Sequence, residues 1–440
     1  MNLRSAFSVV AVLAVGGLGC VAMAADEPPS PDDPLIQAVA QSSTGFAAGL
    51  YAQLKTQPGN LAFAPCGLSQ ALVPLAAGTR GSTEEELTKV LHLTVPVLDA
   101  ADGYAMLARR LQRAAGGEAA LSFAKSLWIQ QWNTINSDYI ELLREHCRSE
   151  LRVIDFARGD HAARWMNQWV ADRTGEMSPG IAEAQIFDAT TRLVVGNAVC
   201  FKSGWQLEFD PAQTVAGPFA IGAEPAPVAV PTMRQTASYR LAAQAGFRLL
   251  QLSYRGDRLV MVVLLPEAGD TLPQIEAELT AERITECLRS VQRAEPVRVA
   301  LSLPRFKAER PVVQLTAALQ EMGARQIFDR TGAADFSGLG TNYDGEPVYL
   351  SGVNHLAKLV VDERGAAPPA APGTSPAGPP AAPAVVPMAV PPAAPVAATA
   401  EVPAASPAVF TVDHPFLYFI CDPTTGSLLF MGRVVDPRAG

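Results

Sequence analysis

The chain has 440 residues, 49% of them hydrophobic and 18% charged, with a formal net charge of −9. That apolar content excludes disorder of the whole chain. The negative balance excludes a nucleic-acid binder that grips phosphate by bulk positive charge.

At the N-terminus, Arg4, the apolar run Ala6 to Val15 and the small residues Ala22-Met23-Ala24 read as a secretory signal peptide over 1–24. The apolar run is short and interrupted by Gly16, Gly17 and Gly19, which argues against a membrane anchor. The mature chain is therefore expected to be soluble, without a membrane attachment, and exported to the extracellular space or a periplasm. Cleavage removes Cys20 and leaves Cys66, Cys147, Cys200, Cys287 and Cys421. An odd number at wide spacing, with no C-x-x-C, predicts buried thiols rather than a disulfide framework.

Residues 25–34 are polar and proline-rich and are expected to form a disordered leader. Apolar spacing over Leu35, Val39, Phe46, Leu50 and Leu54 then predicts a helix. Ser82-Thr83-Glu84-Glu85 reads as a capping box opening a helix to about Leu93, and another helix covers Met106, Leu107 and Leu111. A strand at Leu121 to Ile129 precedes helices at about 137–148 and 160–173. Strands are next expected at Leu193 to Phe201, Phe247 to Tyr254, Leu259 to Leu265 and Val297 to Leu303. A helix near 311–322 is closed by Gly323, and strands return at 347–361, 409–421 and 427–434. Helices early and strands late, without βα alternation, define an α+β fold.

Proline sets one stretch apart. Of 36 prolines, thirteen fall between Ala366 and Val412, beside seventeen alanines. Proline lacks an amide donor and alanine has little to bury, so 366–412 is expected to be an exposed, extended loop. It is not a linker between domains, because only 28 residues follow Val412. Those residues must return as strands to a body already built.

No catalytic signature accompanies this pattern. His92, His146, His161, His355 and His414 show no metal-ligand spacing. H-E-x-x-H, G-x-S-x-G and a phosphate-binding lysine loop are absent. The sequence thus indicates neither an enzyme nor a cofactor nor a metal.

Several ordered segments carry a resemblance. Asn197-Ala-Val-Cys-Phe201-Lys202-Ser-Gly204-Trp205, with Phe209-Asp210 and Thr214, resembles the serpin pattern of a strand leading into F-K-G-x-W, with the glycine one place late. Asp413-His414-Pro415-Phe416, then Thr425-Gly426 and Phe430-Met-Gly432-Arg433-Val434, resembles the serpin C-terminal signature. Leu303-Pro304-Arg305-Phe306, Met322-Gly323, Ala334-Asp335-Phe336-Ser337-Gly338 and Val353-x-His355-x-Ala357 fall between them in the serpin order. Asn60-x-x-Phe63-x-Pro65, Ser69 and Gly78-x-x-Gly81-x-Thr83-Glu84 match the family's early helical region.

The resemblance implies one domain over 35–440, with three β-sheets and eight or nine helices, monomeric. It also implies a suicide inhibitor of serine proteases. A protease attacks an exposed reactive-centre loop, and the cleaved loop inserts into the main sheet as an added strand. The hinge of that loop falls at Glu363, Gly365, Ala366 and Ala367. Ser69, Asn197 and His355 match the polar cluster that gates sheet opening, although Gly67 stands where a second serine is usual. Trp205 and Arg305 lie where the loop joins the sheet, and Glu363 is placed to pair with Arg305.

The loop also bears on the partner. No Lys or Arg lies between Arg364 and Arg433, so a trypsin-like acidic pocket has nothing to hold. Small apolar residues suit an elastase-, chymotrypsin- or subtilisin-like protease, and Val386, Met388 and Ala389 resemble a serpin bait with methionine before the scissile bond. Counting from the hinge points instead near Pro379, and counting back from Pro415 points near Ala404. Pro368, Pro369, Pro372, Pro376 and Pro379 oppose insertion as a central strand. A slow inhibitor, a protease substrate and a non-inhibitory serpin therefore stay open as outcomes.

Overall fold

The computed structural model describes residues 28–115, 120–131, 133–175, 180–222, 226–268, 271–308, 313–342, 345–367 and 406–439. The segment 1–24, expected to be a signal peptide, and the expected bait residues Val386, Met388 and Ala389 lie outside them. Among the described residues the α-helices are α1 (Pro34–Leu54), α2 (Pro65–Gly78), α3 (Gly81–Val90), α4 (Val97–Ala114), α5 (Ser137–Leu142), α6 (Gly159–Thr174), α7 (Leu272–Ala277), α8 (Ala281–Arg293) and α9 (Thr316–Met322). The strands are β1 (Leu61–Phe63), β2 (Ala120–Gln130), β3 (Asn133–Ile135), β4 (Glu150–Ile154), β5 (Leu193–Gly204), β6 (Val215–Phe219), β7 (Val228–Gln244), β8 (Phe247–Ser253), β9 (Val260–Pro266) and β10 (Pro296–Pro304). They continue with β11 (Phe306–Ala308), β12 (Val313–Gln314), β13 (Gly340–Asn342), β14 (Leu350–Ala357), β15 (Leu359–Asp362), β16 (Gly365–Ala367), β17 (Ala408–Thr411), β18 (Phe416–Cys421) and β19 (Leu428–Val434). Helices and sheets are mixed as α+β, and the strands form three sheets.

Local chemistry accounts for most boundaries. Asp33 caps α1, its Oδ1 accepting from the Leu35 amide at 2.9 Å, and Pro34 takes a first-turn position where no donor is needed. Gln37 Nε2 donates to the Pro31 carbonyl. The domain's contacts therefore begin inside the stretch expected to be a disordered leader. The expected capping box at Ser82 does not form. α3 starts two residues earlier, at Gly81 with Arg80 as its cap, and the Ser82 hydroxyl donates to Gln326 Oε1 instead. The helix expected near 311–322 is shorter, because Val313–Gln314 pairs with β14 as β12. Gly323 closes α9 in the left-handed region, as its sequence position suggested. The five cysteines among the described residues are buried free thiols, and burial raises the Cys147 and Cys200 pKa values to about 12.

The eight-stranded main sheet is built around β5. One edge of β5 carries β2 over Leu193–Lys202, antiparallel. The other carries β14, parallel, with Leu193 opposite Leu350 and Val199 opposite Ala357. Alternation along β5 divides its side chains between two layers. Leu193, Val195, Val199 and Phe201 join the main core, which includes the wholly buried α2. Val194 and Ala198 face a second core with Trp128, Phe156, Met166 and Trp169, roofed by α6. The sheet is thus sandwiched, and any strand added beside β5 must pass between these two layers.

Candidate functional site: a forked sheet and its hinge

Above Ala357 the chain leaves β5 and continues as β15, so the main sheet forks at its top. β16 fills the fork. It pairs antiparallel with β15 through Val360–Ala367, Val361–Ala366 and Asp362–Gly365. Its other edge pairs with β5 through Gly365–Gly204 and Ala366–Ser203. The expected hinge residues Gly365, Ala366 and Ala367 are therefore a short strand already in the sheet, and Ala366 is buried in the core. The span treated as exposed loop is correspondingly shorter at both ends, since Ala408–Thr411 is strand β17, parallel to β10. Gly365 has φ +150°, and a Cβ there would lie 2.0 Å from the Ser203 carbonyl oxygen, so only glycine fits.

The base of the hinge is held from several directions. The Trp205 amide donates to the Arg364 carbonyl at 2.8 Å, and its indole Nε1 donates to the Asp362 carbonyl at 2.9 Å. The Trp205 ring is buried and stacks on Tyr254 at 4.7 Å. The Phe209 amide donates to the Glu363 carbonyl at 3.0 Å. The Glu363 side chain is 7% exposed and pairs with Arg305, whose Nε and Nη2 reach Oε1 at 2.7 and 2.6 Å. Thr214 Oγ1 donates to the same oxygen. Burial would raise the Glu363 pKa, but the hydrogen bonds from Arg305 and Thr214 outweigh it and hold the carboxyl below its ordinary value.

Lower down, one side-chain bond spans the seam between β5 and β14. His355 stands opposite Asn197 in the ladder. Its Nε2 accepts from the Ala64 amide at 3.0 Å, so Nδ1 carries the proton and donates to Asn197 Oδ1 at 2.7 Å. Asn197 Nδ2 donates to the Gly67 and Ala124 carbonyls. Burial pushes the His355 pKa down to about 3, so the ring is neutral. Ser69 does not join this cluster: its hydroxyl is buried and makes no hydrogen bond to Asn197 or His355. The start of α2 contributes backbone groups instead. Gly67 has no room for a side chain, since a Cβ would lie 2.3 Å from Val199 Cγ2. Asp362 was not singled out from sequence, although Asp362-Glu-Arg-Gly365 has the Asp-first, Gly-fourth spacing of a turn.

The arrangement joins a buried polar seam to a short strand seated in the fork above it. Among the described residues, no three His, Cys, Asp or Glu side chains gather to hold a metal ion.

A family model described as serpin (serine protease inhibitor) matches residues 41–437. The chain belongs to the serpin family. It is 31% identical over 412 residues to an uncharacterized serpin-like protein of Thermococcus kodakarensis, covering 93% of this chain and 87% of that one. It is 27% identical to the human leukocyte elastase inhibitor, covering 91% of this chain and all of that protein. Uncleaved ovalbumin superposes with a TM-score of 0.74 at 25% identity, over 91% of this chain and all of ovalbumin.

Proposed function

We propose that this serpin is exported and inhibits elastase-like serine proteases as a suicide substrate, using the segment between β16 and β17 as bait. The observation that carries the reading is the state of the main sheet. β5 and β14 are paired directly along Leu193–Val199, so the place for an added strand is unfilled, while the hinge is seated in the fork above it. The bait itself, around Val386, Met388 and Ala389, is a sequence argument. The absence of Lys and Arg between Arg364 and Arg433, and relatives named leukocyte elastase inhibitor, support an elastase-like target.

The hinge register says what insertion would demand. Carried down β5 from Gly365–Gly204 and Ala366–Ser203, it would set Pro368 opposite Phe201, Ala370 opposite Val199 and Pro372 opposite Asn197. On the α6 side, Ala371, Gly373 and Ser375 would stand opposite Ala198, Gly196 and Val194. These small residues suit the layer beneath α6. Each proline, in contrast, removes a ladder donor from a central strand. That favours a second reading, in which the loop is cut but inserts too slowly to trap the protease.

Incubation with pancreatic elastase separates the two. A covalent adduct stable in SDS supports inhibition, and clipped chain alone supports the substrate reading. Mass spectrometry locates the cut, with Met388–Ala389 expected and trypsin inactive on the loop. N-terminal sequencing of the exported chain is expected to begin at Ala25, and a retained 1–24 segment removes the export claim.

A further inference from the structure

Asp362 ends β15, and its side chain turns back over the two residues that follow. Oδ1 accepts from the Arg364 amide at 2.9 Å and from the Gly365 amide at 3.3 Å. Glu363 and Arg364 then form a two-residue connection, across which Asp362 and Gly365 face each other in the ladder. The backbone carbonyl of Asp362 is held independently by Trp205 Nε1. One residue thus fixes both the end of the fork and the reversal that sends the chain back into it.

We infer that Asp362 is a positioning residue that pre-seats the hinge, so that strand insertion begins from a nucleus already formed. The inference rests on the inhibitory reading above and deepens it. Adding a strand between two others requires a first rung before any later rung can zip, and ordering that rung costs chain entropy. Here two rungs to β5 and three to β15 exist before any protease acts. The need for such a nucleus is acute in this chain, because Pro368 and Pro369 follow Ala367 directly and leave the next step without two donors. The carboxylate does not touch the protease or the scissile bond. It acts through the geometry of Gly365, Ala366 and Ala367.

Two measurements on the full-length mature chain test this. In the uncleaved protein, amide hydrogen exchange at Gly365–Ala367 is expected to rise at least about tenfold in Asp362→Ala, which removes both hydrogen bonds to the Asp362 carboxylate. Asp362→Asn keeps an accepting oxygen and is expected to restore wild-type exchange. With pancreatic elastase, Asp362→Ala is expected to lower the ratio of adduct to clipped chain several-fold while the association rate stays unchanged. Unchanged exchange in Asp362→Ala, or faster exchange with an unchanged ratio, overturns the inference. If wild type is only clipped, the inhibitory reading falls, and the rise in thermal midpoint on clipping replaces the adduct ratio. A smaller rise in Asp362→Ala then supports the positioning role, and an equal rise overturns it.

Discussion

The two ends of the strand run β14–β15 are held by different physics. At the seam, His355 and Asn197 are fully buried and neutral, and they come from positions 158 residues apart. At the fork, the hinge is held by a local turn at Asp362, by backbone bonds to Trp205 and Phe209, and by an ion pair whose Arg305 is 46% exposed. Removing a partner at the seam leaves an orphaned polar group where no water replaces it. Removing one at the fork lets solvent substitute. On the proposed inhibitory mechanism, resistance to opening the sheet would sit in the seam, and steering of the incoming chain would sit in the fork.

The largest expected effect that tests this contrast is His355→Ala. It orphans Asn197 Oδ1 and the Ala64 amide and leaves a ring-sized void, costing about 3 kcal/mol. The thermal midpoint should fall by several degrees, and a loss below about 1 kcal/mol would erase the contrast. Gly67→Ala should cost about 1–2 kcal/mol, because overpacking against Val199 exceeds the helix-propensity gain of alanine. Val199→Ala in the same chain should recover most of that loss, and no recovery would show that the Cβ clash is not the cause.

Acid should weaken the seam by a comparable amount. The unfolded chain takes up a proton at His355 near its ordinary value of 6.5, whereas the folded protein holds the ring neutral down to about 3. Stability is therefore lost as pH falls below 6.5, by up to about 1.4 kcal/mol per pH unit from this group. Urea midpoints from pH 7 to pH 5 measure the slope, and His355→Gln should flatten it. Glu363 acts in the same direction at lower pH, because its depressed carboxyl pKa stabilises the fold above the ordinary carboxylate value and that contribution disappears on acidification. Glu363→Gln is the smallest expected effect, under about 1 kcal/mol and reduced further by salt. A loss as large as that of His355→Ala would mean that the fork, too, resists opening.

Much of the fold was legible. Leu35, Val39, Phe46, Leu50 and Leu54 placed α1 to within a residue of its start, and β2, β5, β8 and β9 lie where runs of Val, Leu and aromatics put them. α2 was not read as a helix because all fourteen of its residues are buried, so no polar face marks a period. α8 has no such excuse, since Ile284, Cys287, Leu288 and Val291 follow helical spacing and Thr280 caps it. β4 is five residues at a sheet edge, with Val153 exposed, and it carries little signal. At the site, Asn197, His355, Glu363, Arg305 and Trp205 were legible only through the ordered resemblance. Ser69 was placed with that cluster by motif order alone, whereas its buried hydroxyl makes no hydrogen bond to Asn197 or His355.

The sequence by itself determined the α+β class, the order of the segments that resemble a serpin, the expected hinge among them, and the proline-rich composition between two strands. These follow from local periodicity, backbone stereochemistry and motif order, which need no distant partner. Only the tertiary structure decided that Gly365–Ala367 is already seated in a fork, and that a neutral histidine bridges the paired seam below. It also decided that backbone groups of α2, not Ser69, complete the cluster. Those facts depend on register between strands far apart in the chain, where a shift of one residue would turn every side chain to the opposite layer.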